Sequence, residues 1–453
     1  MRLRSVVQAL AGAGVLAIAA PGPSHAAEAF GPTLDRELGA IVTDAAHPLA
    51  SLSVLAIRDG RVVYEGQFGR RHIATTPDAK DLPADSGTLY RVASISKLVT
   101  TLGLMKLVEE GRVSLDEDAS RYLGWKLRNP NFPEVPVTLR MLVTHTSSMR
   151  DDAGYFFEAG KKLEDVLTPG GALYGDGAAW GKEAPPGKWF SYANLPWGVV
   201  ASVIERVSGE RFDRYVKRAV LDPIGVPGGY NAAEIPPAAL RDLATLYRKR
   251  TGPEGKEVWD PAGPWIAQVD DYSSAPPVPR ADASYEIGSN GLVMGPQGGL
   301  RTSAAGLGRI MRMLMDHGMI DGKRVFRAET IDAMLAEQWH YDGHNGAVGY
   351  GNHGDRFLAW GLGNQHFLDV SGPARGDRLV EGGGFKAVGH FGDAWGLTAT
   401  FAFDPVKRDG MVFLIGGVGF DPEQTVGRYS AMYPHEERIL TTLYRRAIQR
   451  RAN

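Results

Sequence analysis

The sequence predicts an α/β plus all-α fold: a sheet begun near the N-terminus, interrupted by a mainly helical block and completed by C-terminal strands. Three observations carry this reading. Leu52-Ser53-Val54-Leu55-Ala56-Ile57 and Val62-Val63-Tyr64 flank Asp59-Gly60, the pattern of a β-hairpin. Apolar residues recur at helical spacing after Ser94 (Leu98, Leu102, Met105, Leu107, Val108) and again from Leu195 to Val207. From residue 378 the period changes to that of strands, and a cleft is expected between the two parts.

In chain order, residues 1–26 read as a signal peptide: Arg2 and Arg4, an apolar stretch from Val6 to Ala20, then Ser24-His25-Ala26 as a small-residue cleavage site. The remainder, 27–453, reads as one unit, with sheet parts at about 27–90 and 345–453 and a helical and loop insertion at about 91–344. Leu34, Leu38, Ile41 and Val42 predict an amphipathic helix ahead of the hairpin, and residues 70–87 a polar loop. The helix from Ser94 is expected to run to Gly111, and a short one spans 137–145. Residues 150–188, rich in Gly, Pro and aromatics, read as loops. Residues 225–290, proline-rich and without a core pattern, suit an insertion that roofs a cleft. Segments 303–317 and 328–338 read as helices. Leu379-Val380, Phe385 to Phe391, Leu397 to Phe403 and Met411 to Ile415 read as strands, with Asp404-Pro405 and Asp409-Gly410 as turns. Glu436 to Ile448 closes the chain as a helix.

Composition narrows the function. With 453 residues, 43 % of them hydrophobic, the chain can bury a large core. A net charge of −2 with acids and bases interspersed points away from nucleic acid and anionic membrane surfaces. The absence of cysteine excludes disulfides and a lipid-modified cysteine anchor. A small-molecule or peptide substrate is expected, without nucleic acid, cofactor or membrane span after signal removal; oligomeric state stays open. Periplasmic or secreted localisation follows from the signal pattern. His340, His344, His353 and Asp355 fit no metal-binding spacing, so no metal is expected. No G-x-S-x-G elbow occurs, which removes the α/β-hydrolase reading.

Chemistry concentrates at Ser94 and Lys97, three residues apart at a helix start. That spacing puts a hydroxyl and an amine on one helical face, a nucleophile with a base beside it. Roughly 0.7 S-x-x-K pairs are expected by chance in this composition, and an N-cap serine beside a solvated lysine is the plain alternative.

The neighbours decide. Leu89-Tyr90-Arg91-Val92-Ala93-Ser94-Ile95-Ser96-Lys97, Leu142-Val143-Thr144-His145-Thr146-Ser147, Pro186 to Asn194 with its Tyr192-Ala193-Asn194, Gly298-Gly299-Leu300 and Gly389-His390-Phe391-Gly392 follow one another in this order. Across residues 35–450 the chain thereby resembles the serine β-lactamase and penicillin-binding-protein superfamily, in the class C-like branch. That branch holds class C β-lactamases, D-alanyl-D-alanine carboxypeptidases, D-aminopeptidases and family VIII esterases. The resemblance implies a β-lactamase-like fold: an antiparallel sheet flanked by N- and C-terminal helices, with an inserted helical subdomain and the active site between them. It implies an exported serine hydrolase cleaving an ester or amide through acyl-Ser94. Lys97 and Tyr192 would handle protons, Asn194 would hold Lys97 or the substrate carbonyl, and Ser94 and Asp393 would offer backbone N–H groups to an oxyanion. His390 and Gly392 would wall the substrate site.

Two departures refine this. Where β-lactamases and carboxypeptidases of the superfamily usually carry K-T-G, this chain has His390-Phe391-Gly392, and a neutral imidazole attracts carboxylates weakly. An esterase or D-amino-acid peptidase therefore ranks above a β-lactamase or D-alanyl-D-alanine carboxypeptidase; a non-catalytic penicillin-binding or sensor protein is the rival of another class. Ser148 stands where the family often has glycine, which bears on the loop conformation. Tyr350-Gly351-Asn352 and His344-Asn345-Gly346 repeat the motifs inside a glycine-rich loop and are read as decoys. Trp180, Trp189, Trp197, Trp259 and Trp265 are candidates either for a cleft lining or for packing.

Overall fold

The first strand reads as a continuous apolar run because both of its faces are covered. In the computed structural model, which describes residues 25–75, 80–252, 256–281, 284–349 and 354–449, Leu52, Val54 and Ala56 enter one apolar core and Leu55 and Ile57 the other. Residues 1–24 of the expected signal segment, His353 and the decoy Tyr350 to Asn352 lie outside the described residues.

The chain opens with α1 (His25–Val42), then the hairpin β1 (Ser51–Arg58) and β2 (Arg61–His72), and a short β3 (Leu82–Pro83). The helical block contains α2 (Ser96–Glu109), α3 (Leu139–Val143), α4 (Leu195–Ser208), α5 (Ala304–Met315) and α6 (Ala328–Leu335). The sheet then resumes with β4 (Trp339–His340), β5 (Ala359–Trp360), β6 (Gln365–Phe367), β7 (Ala387–Ala394), β8 (Leu397–Asp404) and β9 (Asp409–Ile415), before α7 (Pro434–Leu443). Among the described residues nine strands form one antiparallel sheet in the order β4-β5-β6-β7-β8-β9-β1-β2-β3. One core fills the space between the sheet and the helical block; the other lies under α1 and α7, where Leu34, Leu38, Ile439 and Leu440 are fully buried. This is the predicted α/β plus all-α architecture of the β-lactamase-like fold, with sheet strands from both chain ends.

Details differ from the sequence reading for physical reasons. Leu379-Val380 is fully buried but pairs in no strand: both side chains fill the α7-side core from an irregular segment. Asp409-Gly410 is no turn. Asp409 pairs with Asp404 and Gly410 with Phe403 inside the β8–β9 ladder, and the turn falls one residue earlier, where Arg408 takes φ +57°. Gly410 is needed because a Cβ there would lie 2.2 Å from Met311 Sδ of α5. The 225–290 insertion is not purely irregular: Leu246–Arg248 pairs with Ile266–Val269 and with Gly417–Val418. No helix among the described residues is long and apolar enough to cross a membrane.

Candidate active site

Ser94 lies in one 3-10 turn, Ala93–Ile95, that runs straight into α2. The helix proper thus begins two residues later than its apolar spacing suggests, and Ser94 caps nothing. Ala93 takes φ +44°, a left-handed conformation unusual for alanine, of the kind that costs roughly 1–3 kcal/mol and persists only where its surroundings enforce it. The surroundings are identifiable. Val92 N donates to Leu300 O at 2.9 Å, Leu300 N donates to Ser96 Oγ at 3.0 Å, and β7 presses on the turn at Gly392. A Cβ on Gly392 would lie 2.6 Å from Val92 O, so glycine there allows the strand its approach.

Lys97 is fully buried, and its Nζ has three neighbours: it donates to Asn194 Oδ1 at 2.7 Å, to Gln297 O at 3.0 Å and to Ser94 Oγ at 3.0 Å. Burial pulls the Lys97 ammonium down to about 7, opposed by the charge of Asp151. Two of the three partners are carbonyl oxygens that can only accept. A neutral amine has two N–H groups for those two and a lone pair left for the Ser94 hydroxyl. Asn194 is oriented from behind, since its Nδ2 donates to Asp151 Oδ2 at 2.8 Å and so turns Oδ1 toward Lys97. Asp151 also accepts from Asn194 N and Leu195 N at 2.8 Å, closing the N-terminus of α4.

The Tyr192 ring stands 4.9 Å from Lys97 Nζ, stacked on Phe357 (4.9 Å, 10°) and 4.5 Å from the His145 ring. His145 holds this segment in place: its carbonyl accepts from Ser191 N at 2.9 Å, and its Nδ1 accepts from Ala193 N at 3.2 Å. Burial and the neighbouring Lys97 and His390 keep His145 well below the usual imidazole range, so it is neutral.

His390 is buried, and its Nδ1 donates to Phe391 O at 2.6 Å, which leaves Nε2 as the acceptor nitrogen. Among the described residues Nε2 meets no hydrogen-bond partner, and the imidazole shares a small recess with Ser94 and Tyr192. Burial, then Lys97, push His390 down to about 3. Asp393, three residues on, turns its carboxylate to the other face of β7, where Tyr433 Oη donates to it at 3.3 Å; burial raises its pKa. Ser148 does occupy a glycine-like conformation, φ +62°, and its Oγ accepts from Asn129 Nδ2 at 2.9 Å and donates to Ser147 O at 2.6 Å.

Ser94, Tyr192, Asn194 and Asp393 border one cavity of about 330 Å³. Lys97, His390 and Gly392 do not line it; His390 borders the small recess beside Ser94 and Tyr192. Of the tryptophans singled out from sequence none lines it; Trp197 and Trp180 are buried packing residues. The aromatic lining comes instead from Tyr155, Phe156 and Trp395, and the charged lining from Arg91, Asp151 and Arg280. The decoy loop approaches too: Gly346-Ala347 pairs in parallel with Phe190-Ser191, and Ala347 and Gly349 line the cavity. Sequence reasoning missed Asp151, which follows the Thr-His-Thr-Ser turn but serves a helix 43 residues away. Among the described residues no group of three His, Cys, Asp or Glu could hold a metal ion.

Penicillin-binding protein 4* of Bacillus subtilis (strain 168) is 28 % identical over 179 residues, 38 % of this chain and 36 % of its own length. Protein flp of Staphylococcus aureus (strain N315) is 26 % identical over 175 residues, 38 % of this chain and 33 % of its own. The matched part is thus only about a third of either relative. Three solved structures share the fold: the octameric penicillin-binding protein homologue from Pyrococcus abyssi (TM-score 0.58, 23 % identity, 86 % of this chain and 74 % of that one); D-alanine carboxypeptidase AmpC from Burkholderia cenocepacia (0.57, 21 %, 87 % and 95 %); and D-amino acid amidase from Ochrobactrum anthropi SV3 (0.56, 16 %, 85 % and 92 %). The Beta-lactamase family model matches residues 36–432, and the chain belongs to that family.

Proposed function

We propose that the protein is an exported serine hydrolase that cleaves an ester or amide bond through an acyl-Ser94 intermediate. The observation that carries this is Lys97: fully buried, 3.0 Å from Ser94 Oγ, and drawn to a pKa of about 7, so that about half of it is a neutral base at neutral pH. Lys97 takes the Ser94 proton as Oγ attacks the carbonyl, which favours lysine over Tyr192 as the operative base. The oxyanion is assigned to the main-chain N–H groups of Ser94 and Asp393, two residues that border the cavity. Tyr192 hands its proton to the leaving group and regains one from the Lys97 ammonium; in the second half water gives a proton to the neutral Lys97 as it attacks the acyl carbonyl, and that proton returns to Ser94 Oγ as the acid leaves. Asn194 holds Lys97, and neutral His390 offers Nε2 as an acceptor to the substrate side.

Esters and D-amino-acid amides rank first. His390 carries no charge with which to hold a β-lactam carboxylate. Export rests on the charged-then-apolar pattern of residues 1–26. The test is intact-mass spectrometry with a fluorophosphonate probe, followed by a panel of p-nitrophenyl esters, nitrocefin, D-Ala-D-Ala peptides and D-amino-acid amides. One adduct on wild type and none on Ser94→Ala is expected. An unlabelled wild type sinks the hydrolase reading and favours the non-catalytic binder; normal turnover by Ser94→Ala sinks the nucleophile assignment.

A further inference from the structure

A recess of about 20 Å³ adjoins the cavity at the nucleophile. Ser94, Tyr192 and Asp393 border both spaces, whereas His390, Arg356, Phe357 and Phe391 border the recess alone. That is room for one water, which needs about 10–15 Å³ and two to four polar partners, and too little for a substrate side chain. The imidazole of His390 is the fixed part of this border. It is 2 % exposed, its Nδ1 donates to Phe391 O at 2.6 Å, and the Trp360 ring stands edge-on to it at 5.4 Å and 88°. A carbonyl only accepts, so Nδ1 carries the proton and Nε2 keeps a lone pair. With Nδ1 turned back to its own strand, Nε2 is the polar atom that the ring offers to the recess. Among the described residues nothing donates to it. Buried acceptors are ordinarily satisfied by protein or by ordered water.

We infer that the recess seats the water that releases the acyl group, and that His390 Nε2 holds this water by accepting one of its hydrogens. The inference rests on the hydrolase reading above and concerns its second half. The first half needs no water, since Ser94 Oγ attacks a substrate lying in the larger cavity. Once the acyl group is on Ser94, its carbonyl carbon hangs from a residue that borders both spaces. Water reaches that carbon from the recess while the rest of the acyl group stays in the cavity. The water oxygen bonds to the carbon as one proton passes to the neutral Lys97 amine, whose Nζ lies 3.0 Å from Ser94 Oγ. The other hydrogen stays bonded to Nε2. The C–Oγ bond then breaks, Oγ takes the proton back from Lys97, and the carboxylic acid leaves. His390 does not take the proton itself, because burial and the neighbouring Lys97 push the imidazole down to about 3. Its part is to orient the water, which spares the entropy of recruiting one from bulk solvent.

Acylation and acyl release are measured separately. Fluorophosphonate labelling gives the first rate. The butyryl adduct formed from 4-nitrophenyl butyrate, followed by acid quench and intact-mass spectrometry, gives the second. His390→Ala should slow release at least tenfold more than it slows labelling, so that butyryl-Ser94 accumulates during turnover. His390→Gln, which can bring an amide oxygen near the position of Nε2, should release faster than His390→Ala; unfolding temperatures check that each variant is folded. Release as fast as in wild type, or labelling and release lost in equal measure, overturns the inference. A crystal structure of the wild type reads the recess without any variant: an ordered water within hydrogen-bond distance of His390 Nε2 is expected, and its absence overturns the inference. A wild type that fluorophosphonate leaves unlabelled sinks the hydrolase reading itself, and the inference with it; a labelled wild type with parallel losses in the variants sinks the inference alone.

Discussion

Replacing Asp151 with asparagine should move the acidic limb of Ser94 acylation to lower pH by about one unit. The Asp151 carboxylate and the Lys97 amine are joined through the Asn194 amide by hydrogen bonds of 2.8 and 2.7 Å. With the O···N span of the amide between them, the charges lie roughly 7 Å apart, which at an effective dielectric constant of ~20–80 is worth ~0.6–2.4 kcal/mol, or about 0.4–1.7 pKa units. The sign follows directly: a negative charge favours ammonium, so its removal lowers the Lys97 pKa and exposes the neutral base at lower pH. The assay is the second-order rate of fluorophosphonate labelling from pH 5 to 9. Wild type should rise to a plateau through a midpoint near the Lys97 value of about 7, and Asp151→Asn should reach its own plateau at lower pH. That plateau is expected to be lower as well, because a carboxamide supports the start of α4 less well than a carboxylate. A midpoint that stays put or rises would show that Asp151 does not set the proton affinity of the base, or that Lys97 is not the titrating group.

Three further changes probe the framework. Gly392→Ala, with its Cβ 2.6 Å from Val92 O, should force β7 off the nucleophile turn; a displacement of ~1 Å is enough to slow acylation by about a hundredfold, read from labelling rate beside unfolding temperature. Asp270→Asn should destabilise the fold by about 3–5 kcal/mol in urea titration, because it strands two buried guanidinium groups without a countercharge. Burial raises the Glu436 carboxyl to about 7, so between its unfolded value near 4.5 and pH 7 the folded state binds the extra proton and loses stability as pH rises. Glu436→Gln should accordingly stabilise the protein at pH 8, by up to ~3 kcal/mol, and by little at pH 4.5; an equal effect at both would refute the assignment.

How much was legible beforehand depended on the range of the contacts. The hairpin and helices α4 and α5 were readable because period and turn residues are local signals, and the Ser94 set because its short motifs come in a fixed order. The strands β4, β5 and β6 were not: they are two or three residues long, and only pairing in series, β4 on β5, β5 on β6 and β6 on β7, makes them strands. Asp409-Gly410 looked like a turn because a glycine required by the approach of Met311 is indistinguishable in sequence from one required by a turn. The cavity's charge was hidden for the same reason. Arg91 sits in the nucleophile motif itself, but Asp270, Arg280 and Arg301 are 179 or more residues away, and their grouping exists only in three dimensions.

The two halves of the cavity differ in one respect that makes a final prediction. At one end Arg91, which lines the cavity, and the buried Arg301 touch Asp270 directly and stay charged. In the reaction half, Lys97 has the Asn194 amide between itself and the Asp151 carboxylate, and it is this spacer that lets burial bring it to about 7. Asn194→Asp changes little in shape but removes the spacer. The new carboxylate would lie about 2.8 Å from Asp151, too close for both to ionise, so the pair would share a proton and leave its single negative charge against Lys97. Moving one charge from roughly 7 Å to roughly 3 Å at an effective dielectric constant of ~20 stabilises the ammonium by ~3 kcal/mol, or about two pKa units. Acylation at pH 7 should then fall by about fiftyfold and recover toward pH 9–10, a shift opposite in direction to that of Asp151→Asn. A uniform loss at every pH would mean that Asn194 acts through shape alone.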